Sequence, residues 1–163
     1  MSFHLRRKDK EITDSGTLRK ILKSTSYVTI AMCKDNQPYL ASLSHGYDEE
    51  HNCLYFHCAS EGKKLDYLVT SNKVWGQALL DYGTRSTESG CTHIYASVHF
   101  GGRVTFLDDV KEKRYAMECM ISQLRNDPKP PMAKLDNEQL NKITIGRIDI
   151  ERMTGKKPKE VTI

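Results

Sequence analysis

Two adjacent lysines, Lys63 and Lys64, fall where a helix is predicted to begin, inside the segment LYFHCASEGKKLDYL from Leu54 to Leu68. Leu54, Phe56 and Cys58 alternate with Tyr55 and His57, a period-2 pattern that predicts a half-buried strand. Ser60 is then placed to cap free backbone N–H groups, and Leu65, Leu68 and Val69 give the following helix an apolar stripe. Cations in the first turn work against the helix dipole, whose positive end favours anions. A phosphate removes that conflict, because free N–H groups and two ammonium groups would converge on one dianion. The chemistry this predicts is a phosphate-binding corner; the plainer reading is a pair of solvated surface lysines.

His57 and Cys58 close the strand before this corner. His57 reads either as a satisfied, half-buried histidine or as an imidazole that donates to a bound oxygen. Cys58 shares a face with Leu54 and Phe56 and reads as packing. Cys53, His57 and Cys58 are close in sequence, but on a strand Cys58 points away from the other two. No CxxC or HxxxH pair completes a four-ligand set, so no metal site is expected. Along Thr92 to Phe100, one face is apolar (Ile94, Ala96, Val98, Phe100). The other, His93, Tyr95, Ser97 and His99, is polar and rich in rings, which suits an interface or a ligand.

The elements that would position these groups are mostly strands. A helix is predicted over roughly Ser15 to Lys23, capped by Thr13 or Asp14. Tyr27 to Lys34 and Tyr39 to Tyr47 flank the turn Asp35-Asn36-Gln37-Pro38 and predict a hairpin. Cys53 to Cys58 is the third strand, and the helix after Ser60 should end near Asn72. Val74 to Leu80 is a fourth strand, and Asp81 to Cys91 reads as a polar loop. Thr92 to Leu107 is a long strand or bent pair interrupted at Gly101-Gly102, where a bulge or sharp bend is expected. Asp109 to Arg125 is the strongest helix, with Asp109 and Glu112 placed as a capping box and Val110, Met117, Met120, Ile121 and Leu124 at helical spacing. Asn126 to Met132 reads as a linker. A last strand, Ile143 to Met153, should bulge near Gly146, where the apolar parity changes from Ile143/Ile145 to Ile148/Ile150. Short early turns argue for antiparallel pairing. A single domain over residues 1–163 is expected: a six- to seven-stranded antiparallel barrel with peripheral helices, closed so that edges are not left open.

Bulk properties exclude several classes. The 163 residues are 38% hydrophobic and 28% charged, with formal net charge +4. No apolar run approaches the roughly 20 residues of a membrane span, and the basic N-terminus has no apolar stretch behind it. Cytoplasm is the expected location. The five cysteines match no disulfide framework, which predicts free thiols. No basic face interleaved with aromatics points to nucleic acid.

The order of features resembles the flavin-binding split-barrel family that includes pyridoxamine 5′-phosphate oxidases, and most nearly its nitroimidazole-resistance (Nim-type) branch. The carrying segments are RRKDKEIT from Arg6, QPYLASLSHGYD from Gln37, LYFHCASEGKKLDYL from Leu54, YASVHFGGRVTFLDD from Tyr95 and RIDIERMTGK from Arg147. The resemblance implies a homodimer of split β-barrels, mainly β with helices, holding FMN at each subunit interface. It implies that Tyr39, Ala41, Ser42, Leu43 and Ser44 run along the flavin ring through backbone groups. It places His57 and Cys58 beside the cofactor, Lys63 and Lys64 on its phosphate, and Ser97 at the interface.

If FMN binds, the isoalloxazine performs the redox step and the protein supplies orientation and electrostatics. The implied activity is an FMN-dependent oxidoreductase passing electrons to nitro-aromatic or other small acceptors. No GxGxxG follows a strand, so a nicotinamide donor would bind transiently over the flavin. His57 is the candidate acid for protonating reduced intermediates. The segment RIDIERMTGKKPKE lacks the arginine-and-histidine stretch with which pyridoxamine oxidases hold their phosphorylated substrate, which argues against vitamin B6 oxidation. Alternatives are a non-catalytic flavin store or sensor, a barrel binding deazaflavin or haem, and a dimeric scaffold without cofactor.

Overall fold

A computed structural model describes residues 5–88, 90–126 and 136–163. After a 3-10 turn at Lys8–Lys10, helix α1 (Ser15–Ser24) is capped by Asp14, whose carboxylate accepts from the N–H groups of Gly16 and Thr17. Strands β1 (Tyr27–Lys34) and β2 (Gln37–Ser44) form the expected hairpin. Its two linking residues, Asp35 and Asn36, both take positive φ (50° and 58°), the conformation that matches the twist of paired strands. Pro38 lies inside β2 because β2 is an edge strand, where a missing N–H costs no ladder bond.

β3 (Gly46–Asp48), β4 (Cys53–Cys58), β5 (Lys73–Thr87), β6 (Gly90–Phe106) and β7 (Thr144–Lys156) complete one seven-stranded antiparallel sheet in the order β2-β1-β5-β6-β7-β4-β3. The expected mainly-β architecture is present, but the ladder does not close: β2 and β3 are its two edges. The chain nevertheless runs from β2 to β3 through the single residue His45. The sheet must therefore curl until its two edges meet at one corner. Helices α2 (Lys63–Thr70), α3 (Val110–Arg125) and α4 (Asn137–Lys142) pack outside it.

Two cores result, and they explain two departures from expectation. β4 is not half-buried: Cys53, Leu54, Tyr55 and Phe56 are all covered. Leu54 and Phe56 enter the main core with Val28, Ile30, Val98, Phe100 and Ile148, while Cys53 and Tyr55 pack under α3 with Ala116, Met120 and Ile145. The parity change in β7 has the same origin. Ile145 serves the α3 core, and Ile148 and Ile150 serve the main core, so no bulge is needed at Gly146. Pairing of β4 with β7 runs unbroken from Cys53↔Asp149 to Cys58↔Thr144. The bulge lies instead opposite Gly101-Gly102, whose partners are Arg152 and Ile150, leaving Glu151 as the extra residue.

The polar loop expected at Asp81 to Cys91 is a β-ribbon, with β5 and β6 paired out to Thr87↔Gly90 and an irregularity between Asp81 and Thr84. From Asp81 to Glu88 every residue is exposed, so neither face imposes an apolar alternation. In α3 the Asp109 side chain accepts from the N–H groups of Lys111 and Glu112. Asn126 ends that helix in a left-handed conformation; the remainder of the expected linker, 127–132, lies outside the described residues. α4, absent from the sequence reading, begins at a capping box between Asp136 and Gln139.

Candidate functional site

The lysine corner forms as a strand–turn–helix, with a different cap from the one expected. Ser60 does not cap α2; the N-cap is Gly62, at φ 129° and ψ 169°, and no side chain bonds to the first turn. That positive φ is one glycine adopts readily. Leu65 and Asp66 return their N–H groups to the Gly62 carbonyl, while the N–H groups of Lys63 and Lys64 have no intrahelical carbonyl to meet. The helix buries Tyr67 and Leu68, and Leu65 is half-buried. Val69 is 82% exposed and is not part of the buried stripe.

Side chains from three elements converge here. The Lys63 ammonium sits 4.8 Å from the Tyr39 ring centre and 5.7 Å from that of Tyr67. The two tyrosine rings are 5.2 Å apart and tilted. Lys64 places its ammonium 5.5 Å from the Phe56 ring. Cation–π contacts of this kind hold an ammonium without consuming its hydrogen-bonding capacity with a fixed anion. Sequence reasoning missed Tyr67, although its position four residues after Lys63 puts it on the same side of the helix.

The remaining predicted residues divide. On β2, Tyr39, Ala41 and Leu43 face the barrel interior, Ser42 is exposed, and Ser44 is half-buried. The Ser42 hydroxyl lies 3.3 Å from that of Thr29. Because β2 pairs only with β1, alternate residues offer unpaired N–H and C=O groups along the outer edge. Cys58 lies on the core side near Lys64; burial pushes its thiol pKa up, and the lysine charge only partly offsets this. It is a thiol, not a thiolate nucleophile.

His57 is exposed, so the half-buried alternative is set aside. It takes the face of β4 opposite Phe56, and the structure does not bring it to the lysines. Ser97 is buried at 3% exposure, opposite Leu79 and Lys156, rather than open on a polar face. β1 and β5 lie between its strand and β2. On its other side only β7 separates that strand from β4. On the same strand His99 is half-buried, and burial together with the Lys156 charge pushes its pKa down. Among the described residues no three histidine, cysteine or acidic side chains group as metal ligands.

Residues 14–157 match the family model described as pyridoxamine 5′-phosphate oxidase. The chain belongs to the pyridoxamine 5′-phosphate oxidase-like family. No curated protein matches it in sequence. Among solved structures it is similar to a candidate 5-nitroimidazole antibiotic resistance protein from Bacteroides thetaiotaomicron, with TM-score 0.80 and 20% identity over 90% of this chain and 85% of that one. It is also similar to a FAD- and haem-binding protein from Mycobacterium smegmatis (TM-score 0.78, 14% identity, 94% and 76% covered). The flavocytochrome Anf3 from Azotobacter vinelandii gives TM-score 0.75 at 15% identity, with 94% and 72% covered. At these identities the likenesses establish a shared fold. For this family member, then, the split-barrel architecture is shown, and no described helix is long and apolar enough to cross a membrane.

Proposed function

We propose that this chain binds a flavin, specifically FMN, and acts as an FMN-dependent oxidoreductase on nitro-aromatic or other small acceptors. The observation that carries the reading is the Lys63/Lys64 pair at the uncapped first turn of α2, beside the free edge of β2. The donor set fits the group. Two ammonium groups and two unpaired helix N–H groups suit a phosphate dianion, and the free backbone edge of β2 from Tyr39 to Ser44 suits the polar rim of a flat heterocycle. The names of several neighbours, FAD-binding or flavin- and haem-containing proteins, support flavin as the cofactor class.

A bound flavin would supply hydride or electron transfer. Lys63 and Lys64 would anchor its phosphate, β2 would orient the ring through main-chain groups, and Cys58 would pack nearby as a neutral thiol. His57, exposed at the end of β4, would donate a proton from its imidazole to reduced acceptor atoms. A homodimer, with β6 of a second copy at the cofactor, completes the site in this reading. The unpaired cysteines fit a reducing, cytoplasmic setting.

A non-catalytic flavin carrier is the second reading, favoured by one observation: among the described residues no carboxylate or carbonyl orients His57, as a committed acid would need. The test is an absorbance spectrum of purified protein before and after FMN addition, followed by NAD(P)H oxidation with a nitro-aromatic acceptor. Repeated donor oxidation supports the enzyme; at most one turnover per flavin supports the carrier; no flavin bands after reconstitution overturns both.

A further inference from the structure

The corner where β2 passes into β3 contains a fully buried imidazole that the flavin reading does not use. His45 is 0% exposed. Its Nε2 lies 3.0 Å from the Leu22 carbonyl at the end of α1. Gln123, on α3, reaches the same place: its amide nitrogen donates to the carbonyls of Leu22 (3.0 Å) and Thr25 (2.8 Å). Its amide oxygen accepts from the Tyr47 N–H at 2.7 Å. The Gln123 nitrogen is also 2.9 Å from His45 Nε2, but both its protons are satisfied by carbonyls. The consistent assignment is therefore a neutral ring protonated on Nε2 and donating to Leu22. Nδ1 is then buried without a partner.

The next residue tightens the same corner. A methyl on Gly46 would come within 2.5 Å of the Met120 nitrogen, so the α3 backbone rests directly on the turn. The charged groups of the flanking elements, Arg19 and Lys23 on α1 and Glu49 after β3, pair with one another at the surface. Arg125 and Glu118 on α3 are not at the ring: its pKa falls to about 4 through burial, opposed only by the Leu22 carbonyl. A proton added at Nδ1 would create a buried N–H with no acceptor.

We propose that His45 and Gln123 form a proton-sensitive clasp that joins the two sheet edges, positions the end of β2, and opens when the imidazole is charged. The connection to flavin retention rests on the reading above; the clasp itself does not. The unfolded chain, with an ordinary histidine near 6.5, takes up a proton that the folded chain refuses until much lower pH. Stability is thus complete above pH 6.5 and is lost as pH falls towards 4.

The experiment uses the full chain without flavin, uniformly labelled with 15N. At pH 6 the His45 ring should appear neutral and protonated on Nε2, and its titration midpoint should lie well below 6.5. The folding equilibrium constant of the wild type should fall by about 80-fold between pH 6.5 and 4, relative to His45→Gln. A ring protonated on Nδ1, a charged ring at pH 6, or equal pH slopes in the two proteins would overturn the clasp. If His45→Gln does not fold, the wild-type tautomer and midpoint decide alone. The amides of Ser42, Leu43 and Ser44 should shift with the same midpoint; if they stay still while His45 titrates, the positioning role is lost. Failure of the flavin reading is separate: wild type at pH 7.5 would then bind no FMN while these results stand.

Discussion

The two ends of β2 are held by opposite kinds of chemistry. At Tyr39 the strand meets an exposed ammonium group lying over aromatic rings, beside a helix turn that no side chain caps. At Ser44 it runs into a buried neutral network in which Gln123 spends both its protons and its oxygen on backbone groups. Unspent polar groups near solvent are available to a ligand, whereas satisfied groups in a dry corner fix geometry. The contrast assigns binding to one end of the strand and positioning to the other.

That contrast breaks most readily at the corner. Gly46→Ala places a methyl against the α3 backbone, which cannot yield as a side-chain tip does. A loss of about 3 kcal/mol or more in stability is expected by denaturant unfolding, and a loss below about 1 kcal/mol would mean that α3 is not seated as described. At the other end, Lys63→Ala with Lys64→Ala should leave stability nearly unchanged, because neither lysine is buried. FMN affinity should instead drop by roughly 100-fold, the scale of two charge-assisted hydrogen bonds; equal affinity measured by fluorescence titration would remove the phosphate assignment.

Smaller effects sharpen the boundary between the regions. His57→Ala should slow acceptor reduction by about tenfold or more while leaving flavin binding intact; full turnover would end its role as acid. Val69→Ser, on the open face of α2, should change stability by less than about 0.5 kcal/mol. A larger loss, or one that depends on protein concentration, would show that a second copy covers that face.

Legibility in the sequence followed the range of the interactions involved. β1 was readable because its alternation arises within eight residues, and its hairpin because Asp35 and Asn36 tolerate positive φ locally. The α3 start was readable from Asp109 and Glu112, of which Asp109 supplies the cap. By contrast, the burial of Cys53 and Tyr55 depends on a helix more than fifty residues downstream, so β4 looked half-exposed. The ribbon beyond Asp81 is paired by backbone bonds between two exposed strands, and no side-chain pattern records that. At the site, the lysine pair and its helix were visible, but the cap was assigned to Ser60 because a hydroxyl is the stronger capping signal; the unusual φ of Gly62 decides otherwise. His45 gave no signal, since the Leu22 carbonyl it meets and the Gln123 amide beside it are 23 and 78 positions away.

Phosphate recognition at the α2 corner is what separates the binding end of β2 from its positioning end. Titrating the flavin-free protein with FMN and, separately, with riboflavin at pH 7.5 tests it most directly, since the two ligands differ only by that group. Saturation near one FMN per chain is expected, with riboflavin binding weaker by roughly 100-fold. Equal affinities for the two would contradict it.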